Sequence, residues 1–90
     1  MGKQLRSDRH RAMIVTIVDA RTAAGMTQRD LAAKMKRYPT YFGKVEAGEH
    51  QLDVLEFWEV ADALGIDPKV FFGTMVDHVQ SRSSGRKPRP

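Results

Sequence analysis

The sequence predicts an all-α fold, a compact five-helix bundle over residues 7–79 flanked by a flexible basic arm at 1–6 and a disordered basic tail at 80–90. Three observations predict it. Apolar residues recur at intervals of three and four along the chain, helix-start and helix-stop residues punctuate that recurrence, and no segment alternates as a half-buried strand would. Ninety residues, 41% hydrophobic and 8% aromatic, supply one core rather than two. Cysteine is absent, so no disulfide or thiolate metal site supplements that core.

The first helix is expected over residues 8–24. Ser7 stands at its start, Met13, Ile14, Ile17, Val18, Arg21 and Ala24 share helical spacing, and Gly25 suits a left-handed stop. A short second helix, 28–35, has Thr27 as N-cap with Asp30 near the free amides of the first turn. Its inward stripe is Leu31, Ala32 and Met35.

The next stretch, KMKRYPTYFGKVEAG, holds Pro39 near its start and Gly43 inside it. Proline is tolerated at the first turn of a helix, where its missing amide hydrogen would lack a partner anyway, and Pro39 is expected there. Tyr38 is pushed toward an extended conformation by the following proline. Gly43 costs about 1 kcal/mol relative to alanine, a cost that burial of Phe42 and Val45 can offset. Gly48 suits a left-handed cap behind this third helix.

For the fourth helix, Leu52, Asp53, Glu56 and Phe57 form a capping box plus a hydrophobic staple. Leu55, Trp58, Ala61 and Leu64 are read as its apolar face, with Trp58 as a core anchor and Gly65 as the stop. Asp67 caps the fifth helix, Pro68 fills its first position, and the helix is expected to reach about Val79. Phe71, Phe72, Met75, Val76 and Val79 exceed what one face of so small a domain covers, which makes them candidates for contact with a second copy.

Charge is polarised along the chain. Residues 1–48 hold ten Lys/Arg against four Asp/Glu, whereas residues 49–79 hold seven acids against Lys69 alone. One half is suited to a polyanion and the other is not. No run approaches the roughly 18 apolar residues of a membrane span, and the start lacks a signal-peptide apolar region, so a soluble cytoplasmic protein is expected. His10, His50 and His78 are scattered and read as surface residues. No nucleophile–base motif or Gly-rich phosphate loop occurs, so no enzymatic activity, cofactor, metal or small-molecule substrate is expected.

The segment TQRDLAAKMKRYPTYFGKVEAGE resembles, without a gap, the helix-turn-helix of the Cro/C1 (Xre-type) family of phage repressors and bacterial regulators. The matches are Thr27 and Gln28, then Leu31, Ala32 and Met35, then Phe42, Val45, Glu46 and Gly48; similarity continues through LDVLEFWEVADALGIDP. Ala32 is the small residue that two crossing helices need. The resemblance implies a lambda-repressor-like domain of bacterial or phage origin, a regulator acting on double-stranded DNA. Repression by a homodimer on a near-palindromic operator is its expected form; an antitoxin-like or adaptor protein-interaction module on the same fold is the alternative.

By the same resemblance, Arg21 pairs with Glu46, and base edges are read from Pro39, Thr40, Gly43 and Lys44. Only Lys44 is a strong donor among these four. Gln28, Lys36, Arg37 and Tyr41 are phosphate candidates, and Lys3 and Arg6 belong to a DNA-binding arm. Gln28 faces Pro39, so the amide pair that joins the two motif helices in relatives is expected to be missing. Lys36 and Arg37 stand where relatives carry glycine and an apolar residue, which predicts a mildly strained turn.

Overall fold

The computed structural model describes the backbone of residues 7–83 and the side chains of 7–79. Lys3, Arg6 and the rest of the predicted arm, together with residues 84–90, lie outside the described residues. Within them the chain forms α1 (Asp8–Ala23), α2 (Gln28–Lys34), α3 (Tyr41–Glu46), α4 (Val54–Leu64) and α5 (Pro68–Ser83). The fold is all-α. α5 continues past the expected end at Val79 to Ser83. Extending an existing helix fixes one residue per hydrogen bond, so a polar sequence that could not nucleate a helix can still prolong one.

The helix starts follow their caps. Ser7 accepts from the His10 amide at 3.0 Å. Thr27 and Asp30 exchange hydrogen bonds of 2.9 and 3.0 Å, and the Thr27 backbone amide holds the Asp30 carboxyl below its usual pKa. Asp53 and Glu56 form a second reciprocal box, at 2.8 and 3.1 Å, and the flanking staple residues Leu52 and Phe57 are both buried.

Four helix ends share one closing geometry. The amides of Met26, Arg37, Glu49 and Ile66 return to the carbonyls of Arg21, Ala32, Lys44 and Ala61 at 2.8–3.1 Å. The residue ahead of each amide has positive φ: Gly25, Lys36, Gly48 and Gly65. Lys36, at φ 59°, is the one non-glycine residue in this region among those described. A Cβ there costs roughly 1–2 kcal/mol, which is the strain expected in the turn.

α1 packs chiefly along α5, and α2 lies against α3. Their shared core contains Ile17, Leu31, Phe42, Val45, Val60 and Phe71, with Phe57 stacked on Phe71 at 4.5 Å between ring centroids. Ala32 is completely buried at the α2 crossing. The Thr16 hydroxyl, also buried, is satisfied by the Ala12 carbonyl at 2.7 Å.

Three sequence expectations are corrected here. Trp58 is 53% exposed and Leu55 is exposed beside it, because α4 turns Phe57, Val60 and Ala61 inward. The sequence of α4 is apolar on several sides, and the stacking of Phe57 on Phe71 selects its rotation. Phe71 is core rather than free surface, at 2% exposure, and Met75 packs against the core, whereas Phe72 is exposed. His10 is buried: it shares the inward face of α1 with Met13 and Ile17.

Candidate nucleic-acid interface

α2 and α3 are joined by a left-handed reversal followed by a tight turn. The left-handed Lys36 reverses the chain. Then the Tyr41 amide bonds the Tyr38 carbonyl at 3.0 Å, enclosing Pro39 and Thr40 in a tight turn. Thr40 has φ −92° and ψ 6°, as the third residue of a type I turn should, which leaves Pro39 at the second position that favours proline. Pro39 therefore precedes α3 instead of occupying its first turn. The ring's fixed φ suits both places, and only the turn hydrogen bond distinguishes them.

α3 is short and sharply two-sided. Tyr41, Phe42 and Val45 are buried, while Pro39, Thr40 and Lys44 are exposed and Gly43 is half-buried. Thr40 stands at the N-cap, yet its hydroxyl makes no capping bond. That hydroxyl remains available to a ligand, as does the Lys44 ammonium.

A mostly buried ion pair seats the helix. Arg21 Nε and Nη2 donate to Glu46 Oε2 and Oε1 at 2.8 and 2.9 Å, a bidentate arrangement with side-chain exposures of 12% and 9%. Arg21 Nη1 also donates to the Met26 carbonyl at 2.8 Å. Gln28 Nε2 adds a bond to Glu46 Oε1 at 2.7 Å. The amide pair of relatives is absent, Pro39 having no side-chain amide, and Gln28 reaches α3 through the Glu46 carboxylate instead. Removing one member of such a mostly buried pair strands the other charge, at about 3 kcal/mol, the lower end of the range for buried pairs.

α4 ties down the other end of α3. The Tyr41 hydroxyl donates to Glu56 Oε2 at 2.9 Å and lies 3.3 Å from His50 Nε2. Burial, first among its causes, pushes the Tyr41 phenol above its ordinary pKa of 10.0. Arg37 donates to Glu59 Oε1 at 2.9 Å and to the Met35 carbonyl at 3.0 Å, and its guanidinium lies 5.4 Å from the Tyr41 ring centre.

Two of the phosphate candidates thus have bonds to acids of α4: Tyr41 from a buried position, to Glu56, and Arg37 from a partly exposed one, to Glu59. The acids that hold them, Glu56 and Glu59, were not singled out as partners in the sequence; their i, i+3 spacing on one helix face was the available signal. Lys36 remains exposed. On the far side, Val54, Leu55 and Trp58 of α4 and Val70 and Phe72 of α5 are all exposed, with a groove between the helices lined by Val54, Trp58, Pro68, Lys69 and Phe72.

Two helices crossing at a buried alanine, the second locked by a mostly buried ion pair and presenting an exposed outer row, define a helix-turn-helix domain. A helix-turn-helix family model matches residues 17–71. The chain belongs to the Cro/C1-type helix-turn-helix family, whose members are DNA-binding transcriptional regulators. Among solved structures it is similar to a mutant of the restriction-modification controller protein C.Esp1396I in a trigonal crystal form, at 26% identity and TM-score 0.75, over 81% of this chain and 97% of that one. It is equally similar, with 26% identity and TM-score 0.75 over 82% of this chain and 97% of the other, to the tetramer of that controller protein in complex with its natural 35 base-pair operator. No curated protein matches the chain.

Proposed function

We propose that this protein is a sequence-specific repressor that binds double-stranded DNA as a homodimer, with α3 in the major groove of each half-site. The observation that carries the reading is the two-sidedness of α3: its buried side is locked by Arg21 and Glu46, and its outer row holds Thr40 and Lys44, both exposed. Lys44 donates to guanine O6 or N7, Thr40 offers a hydroxyl and a methyl, and Pro39 contributes apolar contact. Lys36 approaches the phosphate backbone, as do Lys3 and Arg6 on the N-terminal arm.

So few reading groups favour two copies per site, because one module of this kind discriminates poorly among genomic sequences. The similar controller protein, which engages its operator as a tetramer, supports self-association. The apolar surface available for it is Val54, Leu55, Trp58, Val70 and Phe72, in place of the set centred on Phe71. A two-fold dimer places its recognition helices about 34 Å apart, one turn of DNA.

Selection from a random-sequence duplex pool, followed by footprinting, tests the proposal. The expected result is an enriched near-palindrome with half-sites about one helical turn apart. Engagement of Arg37 and Tyr41 by α4 favours a second reading, the interaction module without base reading. An unenriched pool would decide for that module.

A further inference from the structure

We infer that Gln28, through its amide carbonyl, reads a base in the major groove and supplies the contact that Gly43 has no side chain to make. The inference rests on the DNA-binding reading above and adds a specificity-determining residue from outside the recognition helix. Its starting point is the orientation of one amide.

Glu46 Oε1 lies 2.7 Å from Gln28 Nε2. A carboxylate only accepts hydrogen bonds, so the NH2 end of the amide must face it and the carbonyl must face away. Among the described residues Gln28 Oε1 has no hydrogen-bond partner. It points toward α3: a Cβ built on Gly43 would stand 3.5 Å from it. The carbonyl thus lies in van der Waals reach of the place where a side chain at position 43 would begin.

Position 43 shares the outer row of α3 with Thr40 and Lys44, three residues before it and one after. The row then presents a hydroxyl, an acceptor and a cation. The carbonyl oxygen is an acceptor and cannot itself bond a phosphate oxygen, which is also only an acceptor. It can bond an exocyclic amine, N6 of adenine or N4 of cytosine, and it repels the O4 of thymine and O6 of guanine. Gln28 therefore distinguishes amino from keto bases at one position on one strand. Glu46 does two things at once: it anchors Arg21 and fixes which end of the Gln28 amide faces outward.

Pool selection with three proteins tests this. The parent should favour adenine or cytosine at one position of each half-site. Gln28→Met keeps the side-chain length and removes the acceptor, and should reduce that preference by about fivefold, the effect of one hydrogen bond, while the remaining positions and the salt dependence stay as they were. Gly43→Leu leaves the Gln28–Glu46 bond in place but covers the carbonyl, and should lose preference at the same base pair. This second variant decides the matter if Gln28→Met proves unstable. Uniform weakening of all sequences by Gln28→Met would overturn the assignment in favour of a phosphate contact, and so would a preference unchanged in both variants. A parent protein with no sequence preference at all would overturn the DNA-reading function itself.

Discussion

Replacing Lys36 by glycine should stabilise this protein, although it removes a charged residue from a folded surface. Three of the four helix ends that close with a residue at positive φ use glycine, and the fourth uses Lys36 at φ 59°. A side chain in that region costs roughly 1–2 kcal/mol through the contact between Cβ and the neighbouring carbonyl. Glycine removes that contact but enlarges the freedom of the unfolded chain, returning about 0.4–1 kcal/mol. The net gain is about 1 kcal/mol. In a domain of this size it should raise the melting temperature by roughly 4–8 °C. Lys36→Ala is the control: it deletes the same charge and keeps the Cβ, so it should melt like the parent. The assay is thermal unfolding by circular dichroism at matched protein concentration, since self-association would otherwise shift the midpoint. If the glycine variant melts no higher than the alanine variant, left-handed strain at this turn is not what limits stability, and the reasoning is refuted. Both variants should lower the salt slope of DNA binding by about 0.9 if the ammonium touches a phosphate.

Glu46→Gln should destabilise the fold by about 3 kcal/mol, because Arg21 stays nearly buried beside a partner that no longer carries charge; urea unfolding measures it, and a midpoint equal to the parent's would mean that the pair contributes little. Lys44→Ala should cost about 1–3 kcal/mol at the selected site and relax preference at a single base pair, whereas an equal loss on scrambled DNA would reassign Lys44 to a phosphate. The phenol of Tyr41 is raised in the folded state, so the neutral form is favoured by folding, and its contribution to stability is complete below about pH 10 and lost as pH rises toward the folded value. Tyr41→Phe should therefore flatten the loss of stability above pH 10, seen in unfolding curves across that range, and an unchanged alkaline slope would show that the phenol is not shielded. Trp58→Glu, at a position 53% exposed, should leave the fold intact and yield a monomer by sedimentation; a Trp58→Glu protein that still sediments as a dimer would place the interface elsewhere.

Local chemistry determined the elements from sequence alone. Ser7, Thr27 and Asp53 start helices because their side-chain oxygens reach amides within three residues, and Gly25, Gly48 and Gly65 end them because only backbone conformation is at issue. The Arg21–Glu46 pairing was accessible too, but through family resemblance and not through spacing, since 25 residues separate the two. The tertiary structure decided what depends on two surfaces meeting. α4 is apolar on several faces, so its sequence is compatible with more than one rotation; Phe57 stacked on Phe71 selected the one that exposes Trp58. Arg37 and Tyr41 read as phosphate contacts because they are donors beside a recognition helix, and only the docking of α4 brought Glu59 and Glu56 to within 2.9 Å of them. Gln28 shows the same division most directly: its place at the start of α2 follows from the Thr27 cap, whereas the direction of its carbonyl exists only once Glu46, eighteen residues away, has taken the other end of the amide.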